Sequence, residues 1–126
     1  MDLQMETSVE GGILFATFTG RAKLDTLVRD VKRACDIAAE QKIEKILINV
    51  LEMSGPLSAF DRYAVGSQVT EHLVHLGINP KVALVGVPPT TDGFAIRVAQ
   101  NRGAMAEVFQ SIEKALDWLG RPPSAG

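Results

Sequence analysis

Hydrophobic and polar residues follow two rhythms along this chain, and the switches between them outline its elements. Residues 13–19, Ile-Leu-Phe-Ala-Thr-Phe-Thr, are β-branched and aromatic, and Gly11-Gly12 separates them from a weaker strand at residues 5–10. The pair reads as an opening β-hairpin. Ile13 and Phe15 share one face of its second strand while Leu14, Ala16 and Phe18 share the other, so this strand is expected inside the sheet, covered on both sides. Over residues 23–41 the period lengthens to that of a helix. Leu24, Leu27, Val28, Val31, Ala34, Cys35 and Ala38 form its apolar stripe, with Asp25, Arg29, Lys32, Arg33, Asp36 and Glu40 mostly opposite. Cys35 lies within the stripe and reads as a small core residue without a chemical role.

Residues 45–51 form a short β-branched run suited to a central parallel strand, and the stretch 52–57 breaks it around the Gly55-Pro56 turn. A second helix is predicted over residues 58–76. Ser58 and Asp61 have the spacing of an N-terminal cap, Gly77 supplies a left-handed C-terminal cap, and Pro80 prevents the helix from resuming. Residues 81–87 are another buried strand, 88–93 a loop, and 94–102 a third helix ended by Gly103. A short strand at 106–109 precedes a last helix at 111–119, with Ser111 as cap and Ile112, Ala115, Leu116 and Leu119 facing inward. After the hairpin, strands and helices alternate strictly. This order predicts an α/β domain with a mostly parallel sheet of about five strands, helices packed against it and right-handed crossovers. A single domain is expected over residues 1–120, with 121–126 as a flexible tail.

Composition narrows the class further. A chain of 126 residues with 46% hydrophobic and 22% charged residues has the balance of a globular protein large enough for one core. The lone cysteine excludes an intrachain disulfide and a clustered-cysteine zinc site, and it suits a reducing cytoplasm. A net charge of −2 with no basic run among aromatics argues against a nucleic-acid partner. The first six residues lack the positive flank and apolar stretch of a signal peptide, and no apolar segment approaches the roughly 20 residues of a membrane-spanning helix. Peripheral association with a membrane surface stays compatible with the sequence.

Between about residues 12 and 120 the chain resembles the SpoIIAA-like family, a branch of the STAS superfamily that includes bacterial anti-sigma-factor antagonists. The resemblance is carried by the order of elements together with Lys81-Val82-Ala83-Leu84-Val85-Gly86, Asn101-Arg102-Gly103, Val108-Phe109 and Ala115-Leu116-Asp117-Trp118-Leu119. It implies a hairpin followed by β-α units wound as one superhelix. In the antagonists, the helix after the central strand opens with an Asp-Ser pair whose serine a partner kinase phosphorylates. The matching stretch here is Ser54-Gly55-Pro56-Leu57-Ser58-Ala59, which makes Ser58 the phosphorylation candidate but places Leu57 where the aspartate would stand. The family is also similar in fold to CRAL-TRIO lipid-binding domains, which implies a small apolar or lipid-like ligand, or a membrane surface, as target. No catalytic motif or cofactor comes with the resemblance.

The helix starts at Ser58 and near Thr91 should open at the carboxyl edge of adjacent parallel strands, where free amides favour a carboxylate or phosphate. Simple capping by both hydroxyls is the plainer reading. Phe60 and Tyr63 fall on one side of the second helix and Val65, Val69, Leu73 and Leu76 on the sheet-facing side, so the aromatic pair could wall a pocket, face a partner or pack under the preceding loop. Phe94, Arg62 and Arg97 complete the ligand-binding candidates, although arginines on helices usually face solvent. The loops at 53–57 and 88–93 would flank the opening as a hinge or lid.

His72 and His75 lie three apart on one helix, but no further ligand motif accompanies them and no metal is expected. Being the only histidines, they also leave no spacing that marks a catalytic triad. The loop at 86–93 lacks the lysine of a P-loop and the glycines of a dinucleotide fingerprint. A small enzyme using Glu52, Asp61 or His72 has no spacing argument behind it. The expected function is therefore non-enzymatic binding of a small apolar or lipid-like ligand. The alternative is a phospho-switched protein-interaction domain with a regulatory protein partner. A homodimer through exposed helix faces suits so small a fold.

Overall fold

The computed structural model describes residues 1–88, 90, 91 and 93–120. The hairpin opens the chain as β1 (Gln4–Glu10) and β2 (Ile13–Arg21). There follow α1 (Leu24–Gln41), β3 (Lys45–Ser54), α2 (Ala59–Leu76), β4 (Lys81–Val85), α3 (Phe94–Asn101), β5 (Met105–Phe109) and α4 (Ile112–Leu119). The five strands stand in chain order across one sheet, β1 antiparallel to β2 and each later pair parallel. The expected tail at 121–126, together with Pro89 and Asp92 of the predicted loop, lies outside the described residues.

The alternation in β2 places its two apolar sets as its sequence predicts. Leu14, Ala16 and Phe18 join the larger core with Leu27, Val31, Ala34 and Cys35 of α1, Leu73 of α2, and Ile96 and Ala99 of α3. Ile13 joins the smaller core on the opposite face, where Leu47, Ala83 and Val85 meet Ala115 and Leu119 of α4. Three helices thus cover one face and a single eight-residue helix the other. Trp118 packs on Phe109 at the margin of that smaller core, while the Lys81 ammonium lies 4.5 Å from the indole and donates to the Trp118 carbonyl at 2.6 Å. Ile112, expected inward, is instead exposed at the first turn of α4, ahead of the part that meets the sheet.

Several boundaries depart from the sequence reading for local reasons. β3 continues three residues past Leu51, because the β2–β3 register slips by one between Thr17 and Thr19. This bulge gives β3 one extra residue, so Val50 and Met53 both reach the larger core across the odd interval that broke the alternation. Asn49 Oδ1 accepts a hydrogen bond from the Leu51 amide at 2.9 Å within the distortion. α1 ends on Lys42, a non-glycine residue in the left-handed region at φ 57°, whose amide reaches the Ala38 and Ala39 carbonyls. Asp30 of α1 is buried and accepts from Arg29 Nε at 3.2 Å.

Candidate functional site

Strand β3 and its neighbour β4 run parallel, so α2 and α3 both begin beyond their carboxyl ends. Ser58 caps α2 in a reciprocal box: its Oγ accepts from the Asp61 amide at 3.0 Å, and its own amide donates to Asp61 Oδ2 at 3.4 Å. Arg62, one residue further on, donates from a guanidinium nitrogen to the Leu57 carbonyl at 2.7 Å. That bond ties the preceding loop to the first turn of α2. Leu57, just before Ser58, is half-buried and packs against the larger core.

The same elements enclose an apolar cavity of about 100 Å³ between the sheet and the helices. Ile48, Val50, Val82 and Leu84 form its floor, Val65, Val69 and Leu73 of α2 one side, and Phe94, Ile96 and Ala99 of α3 another. Met53 and Leu57 from one predicted loop, and Thr90, Thr91 and Gly93 from the other, complete its margin. α2 and α3 can meet closely over this space because Gly66 lacks a side chain: a Cβ there would stand 2.4 Å from the Ala95 carbonyl oxygen.

Three of the predicted ligand residues, Arg62, Thr91 and Phe94, come together on this cavity, while Phe60, Tyr63 and Arg97 are not among its lining residues. Phe60 is 76% exposed and Tyr63 44% exposed on the outer side of α2. Helical geometry explains the split, since Arg62, Val65, Val69 and Leu73 repeat along the inward stripe. Arg102 donates to the Tyr63 hydroxyl at 3.0 Å and its guanidinium carbon lies 5.9 Å from the ring centroid, fixing the aromatic ring at the surface. Arg97 is exposed, with its guanidinium carbon 5.9 Å from the Phe94 centroid.

Thr91 does not cap α3, contrary to the plainer expectation. The helix starts at Phe94, where the sequence pattern began it, with Gly93 as a left-handed N-cap at φ 85° and no side-chain cap bond. Thr91 is only 9% exposed, its amide donates to the Val87 carbonyl at 3.1 Å, and its Oγ1 has no hydrogen-bond partner among the described residues. A buried hydroxyl left unpaired costs roughly 1–3 kcal/mol. Sequence reasoning marked the residue but could not see its burial, which arises from close packing over Gly86, where any side chain would strike it.

Other reactive groups lie apart from this cavity. His72 Nε2 donates to Asp36 Oδ1 at 2.6 Å, bridging α2 to α1, and the His75 ring stacks at 6.2 Å from His72. No cluster of three His, Cys, Asp or Glu side chains suited to a metal occurs among the described residues. Burial in the larger core, reinforced by the neighbouring Asp36 charge, pushes the Cys35 thiol from 9.0 up to about 12. No helix among the described residues is long and apolar enough to cross a membrane.

A hairpin-led sheet in chain order, with helices on both faces, gives this chain a SpoIIAA-like fold. Its structure is similar to that of an anti-sigma factor antagonist from Mycobacterium paratuberculosis, at 11% identity over 94% of each chain with a TM-score of 0.66. It is also similar to the anti-sigma factor antagonist SpoIIAA in its unphosphorylated form, at 16% identity over 94% of this chain and 97% of that one, with a TM-score of 0.53. An uncharacterized protein with a SpoIIAA-like fold from Shewanella loihica matches over 93% of each chain, at 17% identity and a TM-score of 0.53. No family model matches the sequence, and no curated protein matches it. At such identities the likeness is one of fold.

Proposed function

We propose that residues 1–120 form a non-enzymatic regulatory domain that docks a protein partner at the N-terminal end of α2, with Ser58 as the modifiable switch. The observation that carries this reading is the surface there: Phe60 is 76% exposed and Tyr63 44% exposed, within two turns of the exposed Ser58. Exposed aromatics beside a polar rim are a common anchor of protein interfaces. Two structural neighbours are anti-sigma factor antagonists, and one is described by its phosphorylation state, which supports a partner of the anti-sigma-factor type. Nothing in the comparisons supports the lipid-like ligand or the membrane surface that the resemblance to lipid-binding domains suggested.

Phosphate on Ser58 would add about −1.5 to −2 charge. It would lie beside the Asp61 carboxylate, which already pairs with the Ser58 amide, so a docked partner would meet a doubled negative patch next to its aromatic anchor. The test is affinity capture from extract of the source cells, with wild type, Phe60→Ala and Ser58→Asp compared by quantitative mass spectrometry. A protein retained by wild type and lost from both variants is the expected result. Identical captured sets at equal amounts for all three would overturn the proposal.

A further inference from the structure

The outer strand of the hairpin leaves one long edge of the sheet open. Among the described residues β1 has only β2 beside it, and its seven residues pair with β2 without a slip of register. All but Met5 are exposed, and Met5 packs against the larger core, so Met5, Thr7 and Val9 share that face while Gln4, Glu6, Ser8 and Glu10 share the other. Gly11 and Gly12, at φ 58° and 77°, make the two-residue turn that closes on Glu10 and Ile13 as a mutually hydrogen-bonded pair. From that pair the antiparallel ladder alternates. The main-chain groups of Gln4, Glu6, Ser8 and Glu10 turn to β2, and those of Met5, Thr7 and Val9 turn to the open edge. Such an edge is a template for another strand unless a bulge, a proline or a lysine blunts it, and β1 has none of these. The opposite edge differs: β5 is shorter, and its Ala106 carbonyl already accepts from Gln100 Nε2 at 2.7 Å.

We infer that β1 pairs antiparallel with β1 of a second copy of this chain, centred on Thr7, so that the two sheets become one. The strand is complementary to itself in that register. Thr7 meets Thr7, and Met5 meets Val9 of the second copy, which opposes the residues whose main-chain groups face outward. Val9, an apolar side chain 45% exposed in the single chain, thereby gains an apolar neighbour. On the other face Glu6 meets Ser8 and Gln4 meets Glu10, so no carboxylate stands directly opposite another. A shift of two residues is the smallest that keeps the outward groups opposed, and it sets Glu6 against Glu6 in one direction and Glu6 against Glu10 in the other. Like charges directly opposite destabilise a strand pair, so charge selects the register centred on Thr7. The two-fold pairing uses both open β1 edges, and assembly closes at the dimer. Phe60 and Tyr63 belong to α2 and take no part, so this pairing and partner docking stand or fall separately.

Sedimentation velocity of the full chain over a concentration series tests the pairing, with wild type expected to pass from monomer to dimer. Ser8→Glu sets a carboxylate opposite Glu6 twice over in the symmetric pair and should weaken the dimer about tenfold, whereas Ser8→Lys should tighten it by a similar factor. Both substitutions fall at an exposed position outside the core. Thr7→Pro removes the amide at the centre of the junction and none from the β1–β2 ladder, so it should abolish the dimer while circular dichroism stays that of the folded chain. Should Thr7→Pro fail to fold, the two Ser8 variants decide alone. A monomer at every concentration, or a dimer that responds alike to Ser8→Glu and Ser8→Lys, would overturn the inference. So would a dimer that is weakened by Phe60→Ala and indifferent to folded Thr7→Pro, since its contact would then be a helix face.

Discussion

Cys35 and Thr91 show how differently two small buried side chains behave when only one has its polar need met. The Cys35 thiol sits in the stripe of α1 against the larger core, and burial holds its proton until about pH 12 against 9.0 for an accessible thiol. Between those values the unfolded chain releases a proton that the folded chain retains, so rising pH favours unfolding through this group. Urea titrations should show stability falling more steeply from pH 9 to 12 in wild type than in Cys35→Ala, with the two slopes equal below pH 8. Cys35 was legible as core because periodicity alone locates a helix's buried stripe. Thr91 was not legible as an orphaned hydroxyl, since its burial depends on the approach of the loop to Gly86, just past the end of β4.

Between elements, the clearest constraint is the α2–α3 contact at Gly66. Alanine is a better helix former than glycine by about 1 kcal/mol, yet a Cβ here would press on the Ala95 carbonyl at 2.4 Å and approach Val98 Cβ at 3.0 Å. Overpacking of this kind costs about 1–3 kcal/mol, so Gly66→Ala should lower unfolding stability despite the gain in propensity, as chemical denaturation will measure. Element types and order were readable from periodicity, because a strand and a helix bury different intervals. The bulge in β3 was not, since one inserted residue makes Val50 and Met53 share a face at a spacing that belongs to neither pattern. The end of α1 was hidden for a related reason: Lys42 takes the left-handed conformation usually left to glycine. The site was half readable. Arg62, Thr91 and Phe94 converge on the cavity, whereas Phe60 and Tyr63 turn outward because, at about 100° per residue, both fall well away from the inward stripe of α2.

At the scale of the whole molecule the two faces of the sheet are unequally protected. Three helices share the larger core, but on the other side, among the described residues, α4 alone shields Ile13, Leu47, Ala83 and Val85. Leu119, almost fully buried in that second layer, is the anchor of the arrangement. Leu119→Ala should cost about 2–5 kcal/mol, and the fluorescence of Trp118, the chain's only tryptophan, will follow the release of α4 from the sheet. Lys45 and Lys81 hold the end of α4 through the Gly120 and Trp118 carbonyls, which places the last described residue at the amino ends of β3 and β4.

The order of strands across the sheet repeats their order in the chain. Each new strand therefore leaves the ribosome beside an edge that the preceding segment has already built, and no strand must wait for a distant partner. Synthesis runs at about 5–20 residues per second, far slower than hairpin formation at about 1–10 μs. The sheet can be laid down one strand at a time from the hairpin onward. Only the second face waits longer, because its cover, α4, follows all five strands in the chain.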